Sequence, residues 1–160
     1  MQSLDTDDAR LRKAGEGDVM LCFRWANDPE VRDNSFSAKP ITFESHKRWF
    51  AKKLSSPTTH IYILEYHGKP AGQIRFDVTK LGAEIDYSVA KDYRGKGLGS
   101  YLLRKGLALF TSEVLSPIKI VGIVADSNLA SAKAFTRAGF VVLEKKQVNG
   151  VACTVYHWPR

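Results

Sequence analysis

Cysteine is scarce in this chain of 160 residues: Cys22 and Cys153 are the only two, and they stand far apart. Neither a disulfide framework nor a zinc site is therefore expected, and the histidines show no ligand spacing. No apolar run approaches the roughly 20 residues that a membrane-spanning helix requires. The first residues are acidic and polar, unlike a secretory signal. These absences predict a cytoplasmic protein without membrane segment or bound metal.

Positive charge is unevenly spread along the chain. The formal net charge is +7, yet residues 1–40 hold six basic and eight acidic residues, whereas residues 41–160 hold 18 and nine. Such a basic excess attracts polyanions, either nucleic acid or a small phosphorylated molecule, or is simply a solvated surface. The basic residues are scattered and accompany no recognition motif for nucleic acid. Nucleic acid is therefore not the expected partner.

Length and composition predict one globular domain over residues 1–160, because 44% of the residues are hydrophobic and 26% are charged. Apolar spacing predicts helices over Val19–Trp25, Phe43–Leu54, Leu98–Leu115 and Asn128–Ala138, the first two with N-caps at Asp18 and Thr42. Alternating residues predict strands over Ala9–Lys13, His60–Tyr66, Ala71–Val78, Glu84–Val89, Ile118–Ala125, Phe140–Val148 and Val151–Trp158. Asn149-Gly150 between the last two is a strong hairpin signal. We expect an α/β (α+β) fold with a mixed, mostly antiparallel sheet.

The most informative motif is Tyr-Arg-Gly-Lys-Gly-Leu-Gly-Ser at Tyr93–Ser100, between a strand and a long helix. Its glycines stand at alternate positions, Gly95, Gly97 and Gly99. Glycine allows positive φ and lets backbone amides approach a ligand closely. Arg94 and Lys96 add charge at a helix start, where free N–H groups and the helix dipole already favour anions. The segment therefore predicts a pyrophosphate site, the alternative being a loop that only caps the helix.

Two better-known phosphate loops do not fit this motif. A dinucleotide fingerprint beginning at Gly95 would need glycine or alanine at Ser100. A P-loop would end in Gly-Lys-Ser/Thr, whereas this segment ends in Leu98-Gly99-Ser100.

The motif resembles the signature of the GNAT N-acetyltransferases, Arg/Gln-x-x-Gly-x-Gly/Ala, which Arg94–Gly99 satisfies. A second family signature, an asparagine before a helix that ends in Gly-Phe, is similar to Asn128 and Gly139-Phe140. The order of predicted elements also agrees, over roughly residues 9–158. The resemblance implies a GNAT-like fold and an N-acetyltransferase that uses acetyl-CoA.

The same resemblance implies where acetyl-CoA lies. Amides of Arg94–Ser100 would hold the pyrophosphate, and the pantetheine would run along Tyr87–Ala90 like an added strand. The amide of Val89 would polarise the thioester carbonyl. The implied cofactor residues are Tyr87, Ser88, Val89, Ala90, Arg94, Gly95, Lys96, Gly97, Leu98, Gly99, Ser100, Asn128, Ser131 and Lys133. The negative charges of CoA would then explain the basic excess.

Catalysis requires a base, since an alkyl amine has a pKa of about 10 and is protonated near pH 7. Glu84 occupies the position at which several family members carry a glutamate base, and Asp86 projects from the same strand face. The alternative is that both carboxylates are merely solvated or bind a substrate cation. Many family members place a tyrosine proton donor at the position of Phe135, so this chain departs from the family there. A thiol with a pKa near 8.5 can leave as thiolate without such a donor.

The N-terminal third should recognise the acceptor amine. It resembles acetyltransferases of nucleotide-linked amino sugars in pseudaminic acid biosynthesis, with ribosomal-protein N-terminal acetyltransferases next in similarity. The residues that carry this resemblance are Arg24–Arg32, Ser35-Phe36, His46, Trp49-Phe50 and Gln73–Asp77. A nucleotide sugar needs aromatic surface and cationic donors. The candidate substrate residues are Trp25, Arg32, Arg75 and Asp86, with Trp49 and Phe36 as further aromatics. In the alternative interpretations Trp49 and His46 belong to the core and Arg75 is solvated.

Two other functions remain open at this point. One is acetylation of peptide or protein N-termini, which needs a peptide groove and no diphosphate site. The other is a non-catalytic CoA-binding module, which the phenylalanine at Phe135 makes plausible. The sequence leaves the acceptor and the oligomeric state undetermined.

Overall fold

The computed structural model describes residues 6–36 and 39–159, and within them seven strands form one sheet. The strands are β1 (Ala9–Lys13), β2 (Thr59–Tyr66), β3 (Lys69–Thr79), β4 (Gly82–Val89), β5 (Ile120–Ala125), β6 (Val141–Val148) and β7 (Val151–His157). Their order across the sheet is β1-β2-β3-β4-β5-β7-β6. Only β4 and β5 are parallel among the neighbouring pairs of these seven strands. The predicted mixed, mostly antiparallel sheet is confirmed.

Helices cover both faces of this sheet. They are α1 (Val19–Ala26), α2 (Pro29–Asp33), α3 (Phe43–Ser55), α4 (Leu98–Glu113) and α5 (Leu129–Arg137). The larger apolar cluster joins the sheet to α4 and α5, with Phe76 and Phe110 fully buried and their rings stacked 4.4 Å apart. A smaller cluster lies on the opposite face, where Cys22 of α1 and Phe50 of α3 meet Ile63. No helix in the described ranges is both long and apolar enough to cross a membrane.

One of the two predicted helix caps forms as expected. The hydroxyl of Thr42 accepts a hydrogen bond from the N–H of Ser45 at 3.2 Å, so it caps α3. Asp18 does precede α1, but the prediction that it caps this helix is wrong. Its carboxylate instead accepts from the Arg12 guanidinium at 2.8 and 2.9 Å and from the N–H of Gly15 at 2.8 Å. A partly buried guanidinium is a stronger donor for this carboxylate than helix amides are.

The short helix α2 was not predicted. Asp28-Pro29 ends α1 as expected, but the same residues also begin a second helix. The carboxylate of Asp28 accepts from the N–H groups of Glu30 at 3.1 Å and Val31 at 3.4 Å. An aspartate N-cap followed by proline at the first helical position is a known start signal, and it places α2 directly after α1.

The C-terminal hairpin forms at the predicted turn. Asn149 and Gly150 both have positive φ, 51° and 79°, as a two-residue type I′ turn requires. Elsewhere α4 ends at Glu113 and β5 begins at Ile120, slightly inside the predicted bounds.

Candidate active site

β4 and β5 separate near the middle of the sheet and leave a gap. Three residue pairs join them, the last being Ile85 with Gly122. β4 continues to Val89 and β5 to Ala125, and within the described part of the chain no further residues of the two strands pair. The sheet therefore opens toward the C-terminal ends of these strands.

Main-chain groups of β4 face this gap at alternate residues. The N–H of Ala83 donates to the carbonyl of Lys119, just before β5, at 2.7 Å. The N–H of Ala90 instead donates to the carbonyl of Ala71 on β3, at 2.8 Å. Because strand residues alternate, the main-chain groups of Tyr87 and Val89 point into the gap, and those of Ser88 point to β3. Of the predicted cofactor strand, only Tyr87 and Val89 can therefore pair with an added chain.

The glycine-rich loop follows β4 and leads into α4. Gly95 and Gly97 have φ of +78° and +81°, as the sequence predicted. Gly99 does not share this role, since it lies inside α4. A β-carbon at Gly99 would make ordinary contacts, 3.5 Å from Ala134 and 3.6 Å from the Tyr87 ring, so packing does not require glycine at this position.

Anion-binding groups converge at the start of α4. The N–H groups of Leu98–Ser100 belong to the first turn of a helix, where they have no partner within the helix. Lys96 and Lys133 are exposed and line the same cavity. Arg104 and Arg137 line it as well, although no motif in the sequence marks them. Arg104 lies on α4 and Arg137 lies on α5. Only the fold brings these two distant positions to the same cavity.

Arg94 is directed away from this anion site. Its Nε donates to the carbonyl of Val89 at 2.9 Å, and its guanidinium pairs with Asp28 at 2.9 Å and with Glu30. The prediction that the Arg94 side chain adds free positive charge to the pyrophosphate site is therefore wrong, because two carboxylates already oppose that charge.

Two predicted cofactor residues of the α5 region are already hydrogen-bonded. The side-chain oxygen of Asn128 accepts from the N–H of Ser131 at 3.2 Å and caps α5. The hydroxyl of Tyr87 donates to the Ser131 hydroxyl at 2.9 Å. Burial raises the pKa of Tyr87, although the Ser131 hydrogen bond opposes that change. All three side chains line the cavity, so they form a preorganised wall.

Phe135 lies where the family places a hydroxyl donor. Its ring is buried, meets the Tyr87 ring edge-on at 5.7 Å and stacks on Tyr156 at 5.4 Å. A phenyl ring carries no proton to donate, so Phe135 cannot take the role of the tyrosine that the family resemblance implied.

The two carboxylates of β4 are exposed on one strand face but differ in their relation to the cavity. Asp86 lines it, whereas Glu84 is absent from the described residues that do so. Asp86 accepts a hydrogen bond from the Gln73 amide at 3.1 Å and lies 3.6 Å from the Arg75 guanidinium. Asp86 is thus held in place beside the cavity by two neighbours on β3.

The side chain of Arg75 contacts other protein groups and is not simply solvated, unlike in the alternative interpretation. Its Nε donates to Asp77 at 2.8 Å, and its guanidinium carbon lies 4.9 Å from the ring centroid of Trp49. Trp49 is 38% exposed and therefore not a core residue. The pair forms part of the cavity wall, with the positive charge of Arg75 opposed by Asp77 and Asp86.

The remaining predicted acceptor residues lie on α1, on α2 and after it. Arg32 donates to the carbonyl of Ala26 at 2.8 Å and to that of Lys39 at 3.1 Å, so it fastens the chain around α2. Trp25 is half-buried against the smaller apolar cluster. Trp25, Arg32 and Phe36 all line the cavity, and their predicted contact with the acceptor stays a prediction.

His46 is buried on α3, with an exposed fraction of 3%, beside the rings of Phe23 and Phe50. Burial lowers its pKa, so the imidazole is neutral near pH 7. The expectation of a core histidine holds, but its Nε2 lacks a hydrogen-bond partner among the described residues.

These walls enclose one continuous cavity of about 1690 Å³. It runs from the start of α4, along the gap between β4 and β5, to α1, α2 and α3. That volume exceeds the roughly 300–1,000 Å³ of a site for one drug-sized ligand. The cavity thus has an anion-binding end, a strand-like gap and a separate aromatic end, with room for more than one ligand.

A family model described as an acetyltransferase (GNAT) domain matches residues 9–141. The chain therefore belongs to the GNAT acetyltransferase family, and the predicted N-acetyltransferase class is confirmed. In the described ranges no cluster of three or more metal-ligating side chains occurs. No curated protein sequence matches the chain significantly.

Solved structures share the fold over nearly the whole chain. AAC(6′)-Ib, in complex with ribostamycin and coenzyme A, superposes with a TM-score of 0.81 at 22% identity, covering 96% of this chain and 94% of that one. Spermidine N-acetyltransferase from Vibrio cholerae, in complex with CoA and spermine, gives 0.79 at 20% identity, covering 94% of each chain. These likenesses establish the GNAT fold.

Proposed function

We propose that this enzyme transfers the acetyl group of acetyl-CoA directly to a primary amine held in the same cavity. The observation that carries the proposal is the single cavity of about 1690 Å³, with an anion-binding end and an aromatic end joined by the gap in the sheet. It provides space for both substrates at once. CoA in the neighbouring acetyltransferase structures supports the choice of donor.

The donor fits the α4 end of the cavity. The diphosphate would accept hydrogen bonds from the N–H groups of Leu98–Ser100, with Lys96 and Lys133 adding charge. The pantetheine amides would pair with the main chain of Tyr87, which faces the gap, whereas the carbonyl of Val89 already accepts from Arg94. The N–H of Val89 would then stabilise negative charge on the carbonyl oxygen during attack.

Asp86 is the carboxylate best placed to take the proton from the acceptor. At about 3.4 Å per strand residue, Asp86 stands roughly 10 Å along β4 from Val89 and Glu84 roughly 17 Å. Asp86 lines the cavity and Glu84 does not. The assignment of the base to Glu84, which the family resemblance implied, stays a prediction to be tested against Asp86.

The chemistry balances without any further reactant. The ammonium of the acceptor gives one proton to the carboxylate, the free amine forms a C–N bond with the carbonyl carbon, and the C–S bond breaks. The sulfur leaves as thiolate, which is stable enough near its pKa of about 8.5 to depart without a donor at Phe135. As the amide forms, the nitrogen gives its second proton to the departing thiolate, directly or through water, so that CoA is released as the thiol.

Lysine and arginine outnumber carboxylates along the cavity. Of the described residues that line it, seven are lysine or arginine and two are carboxylates. The basic ones are Arg32, Arg75, Arg94, Lys96, Arg104, Lys133 and Arg137, and the acidic ones are Glu30 and Asp86. Carboxylates oppose Arg75 (Asp77 and Asp86) and Arg94 (Asp28 and Glu30), so the excess positive charge lies at the cofactor end, with Lys96, Arg104, Lys133 and Arg137. That excess suits the phosphates of the donor, and charge alone does not select the acceptor.

We propose a nucleotide-linked amino sugar as the acceptor. Trp25, Phe36 and Trp49 offer aromatic surface for a base or a sugar face. Arg32 donates to backbone carbonyls and Arg75 pairs with Asp77 and Asp86, so neither acts as a free diphosphate ligand.

Release of free CoA thiol, measured with a panel of amines, tests both parts of the proposal. We expect the highest kcat/KM with a UDP-linked amino sugar, and lower values with spermidine, kanamycin and a ribosomal N-terminal peptide. A higher kcat/KM for either polycation, or for the peptide, would overturn the acceptor assignment. CoA binding without thiol release from any amine would instead indicate a non-catalytic CoA-binding module.

A further inference from the structure

We propose that Arg94 is a positioning residue that fixes the acceptor wall, although it begins the loop that binds the cofactor. Its guanidinium reaches from the end of β4 to α2, a separation of 66 residues in sequence between Arg94 and Asp28. Its Nε donates to the carbonyl of Val89, and its two terminal nitrogens pair with the carboxylates of Asp28 and Glu30. The inference rests on the proposed function only where it concerns the acceptor.

Asp28 has two roles in this arrangement. It caps α2 by accepting from the N–H groups of Glu30 and Val31, and it pairs with Arg94 at 2.9 Å. The carboxylate is 17% exposed and Arg94 is 26% exposed, so water screens the pair incompletely. Burial by itself would raise the pKa of Asp28, but the hydrogen bonds from Arg94 and from α2 hold it below its usual value.

The helix that Arg94 holds is part of the cavity. Glu30, Val31 and Arg32 of α2 line it. With only five residues, α2 cannot be stable by its own hydrogen bonds. Its position therefore depends on contacts with the rest of the protein, and the Arg94 pair is the contact that joins it to β4. The chain that follows α2 makes a second contact of this kind: the side-chain amide of Asn149 donates to the carbonyl of Phe36 at 3.2 Å.

This geometry separates two roles for the guanidinium. If Arg94 positions α2, loss of its partner loosens the acceptor wall and leaves CoA binding intact. If Arg94 is a diphosphate ligand, loss of Asp28 leaves Glu30 as its one carboxylate partner, so more of its charge is available to the cofactor and CoA affinity changes. Asp28→Ser distinguishes the roles, because serine caps a helix as well as aspartate but lacks the charge and the reach. Asp33→Ser, at an exposed residue of the same helix, is the matched control.

The test uses two readouts that need no acceptor and a third that does. We expect hydrogen exchange of the α2 amides to be faster in Asp28→Ser and in Arg94→Gln, and no faster in the double variant than in either single one. We expect the calorimetric Kd of CoA for Asp28→Ser to stay within about twofold of the wild type. With an active amine, its KM should rise about tenfold, the loss typical of a hydrogen bond between charged groups, at similar kcat.

Two results would overturn the positioning role. One is α2 exchange in Asp28→Ser equal to that of the Asp33→Ser control. The other is a change of CoA affinity beyond about fivefold in Asp28→Ser, which would assign the guanidinium to the cofactor. Both are decided even if no amine is acetylated, so failure of the acceptor proposal remains distinguishable from failure of this one.

Discussion

The ring of Phe135 fills the space beside the α-carbon of Gly122: a β-carbon built there would lie 2.4 Å from Cζ of that ring. Gly122 is also the last residue of β5 that pairs with β4. Close approach of the Phe135 ring to the backbone at the start of the gap therefore requires glycine at this position. The contact links the packing of α5 to the shape of the active site.

We expect Gly122→Ala to destabilise the protein by about 1–3 kcal/mol, because the buried ring must move against a packed core. Urea unfolding measures the change. Gly17→Ala is the matched control, since nothing lies within 4 Å of a β-carbon there. Equal stability of Gly122→Ala and the control would contradict the account of this contact.

Substitution of the two β4 carboxylates separates their roles. We expect Asp86→Asn to lower kcat by about 10²- to 10⁴-fold, the usual contribution of a general base, and Glu84→Gln to lower it far less. Both are isosteric changes at exposed residues, so folding should be unaffected. Saturation with acceptor and acetyl-CoA isolates kcat. The reverse order of effects would assign the base to Glu84 and would remove Asp86 from the mechanism.

Lys96 should contribute to CoA binding through its charge. It is exposed beside the loop, with its ammonium 5.7 Å from the Tyr93 ring centroid. We expect Lys96→Gln to weaken CoA binding about two- to tenfold at low salt and less at 0.5 M salt, since screening shortens the reach of surface charge. Calorimetry at both salt concentrations gives the comparison. Lys80→Gln, on the turn between β3 and β4, should have no effect at either salt concentration.

The pair formed by Asp18 and Arg12 predicts a pH dependence of stability. The hydrogen bond from Arg12 holds the pKa of Asp18 below its usual value, despite burial, and the N–H of Gly15 adds to this. A carboxylate with a lowered pKa in the folded state stabilises the protein above its unfolded pKa of about 3.9. That contribution is lost as the pH falls below this value and through the folded pKa.

Asp18→Asn should therefore be less stable than the wild type at pH 6, and the difference should shrink at pH 3. Urea unfolding at the two pH values measures it, and about 1–3 kcal/mol is expected at pH 6. An unchanged difference between pH 6 and pH 3 would mean that the charge of Asp18 does not stabilise the fold.

Much of the fold could be predicted because its signals are local. Thr42 caps α3, and Asn149-Gly150 forms the hairpin turn, since both depend on neighbouring residues only. The loop from Gly95 was recognisable for the same reason. The cap at Asp18 was predicted wrongly because a local preference lost to a stronger partner, the Arg12 guanidinium. Here tertiary pairing decides between two acceptable local structures.

The charged part of the site could not be predicted in the same way. The pairing of Arg94 with Asp28 and the stacking of Arg75 on Trp49 join distant segments, so no spacing in the sequence reports them. Sequence reasoning identified these arginines but treated their charges as free for ligands. Their partners become visible only when the sheet and helices are assembled.

Calorimetric titration of the protein with acetyl-CoA tests the central claim, that the start of α4 and the gap beside Val89 bind this donor. The account predicts saturable binding with one acetyl-CoA per chain. Binding should be weaker in Gly97→Val, because Gly97 has a φ of +81°, which valine rarely adopts, and the loop must change shape. Absence of binding heat at several temperatures, with no protection by acetyl-CoA against thermal unfolding, would contradict it.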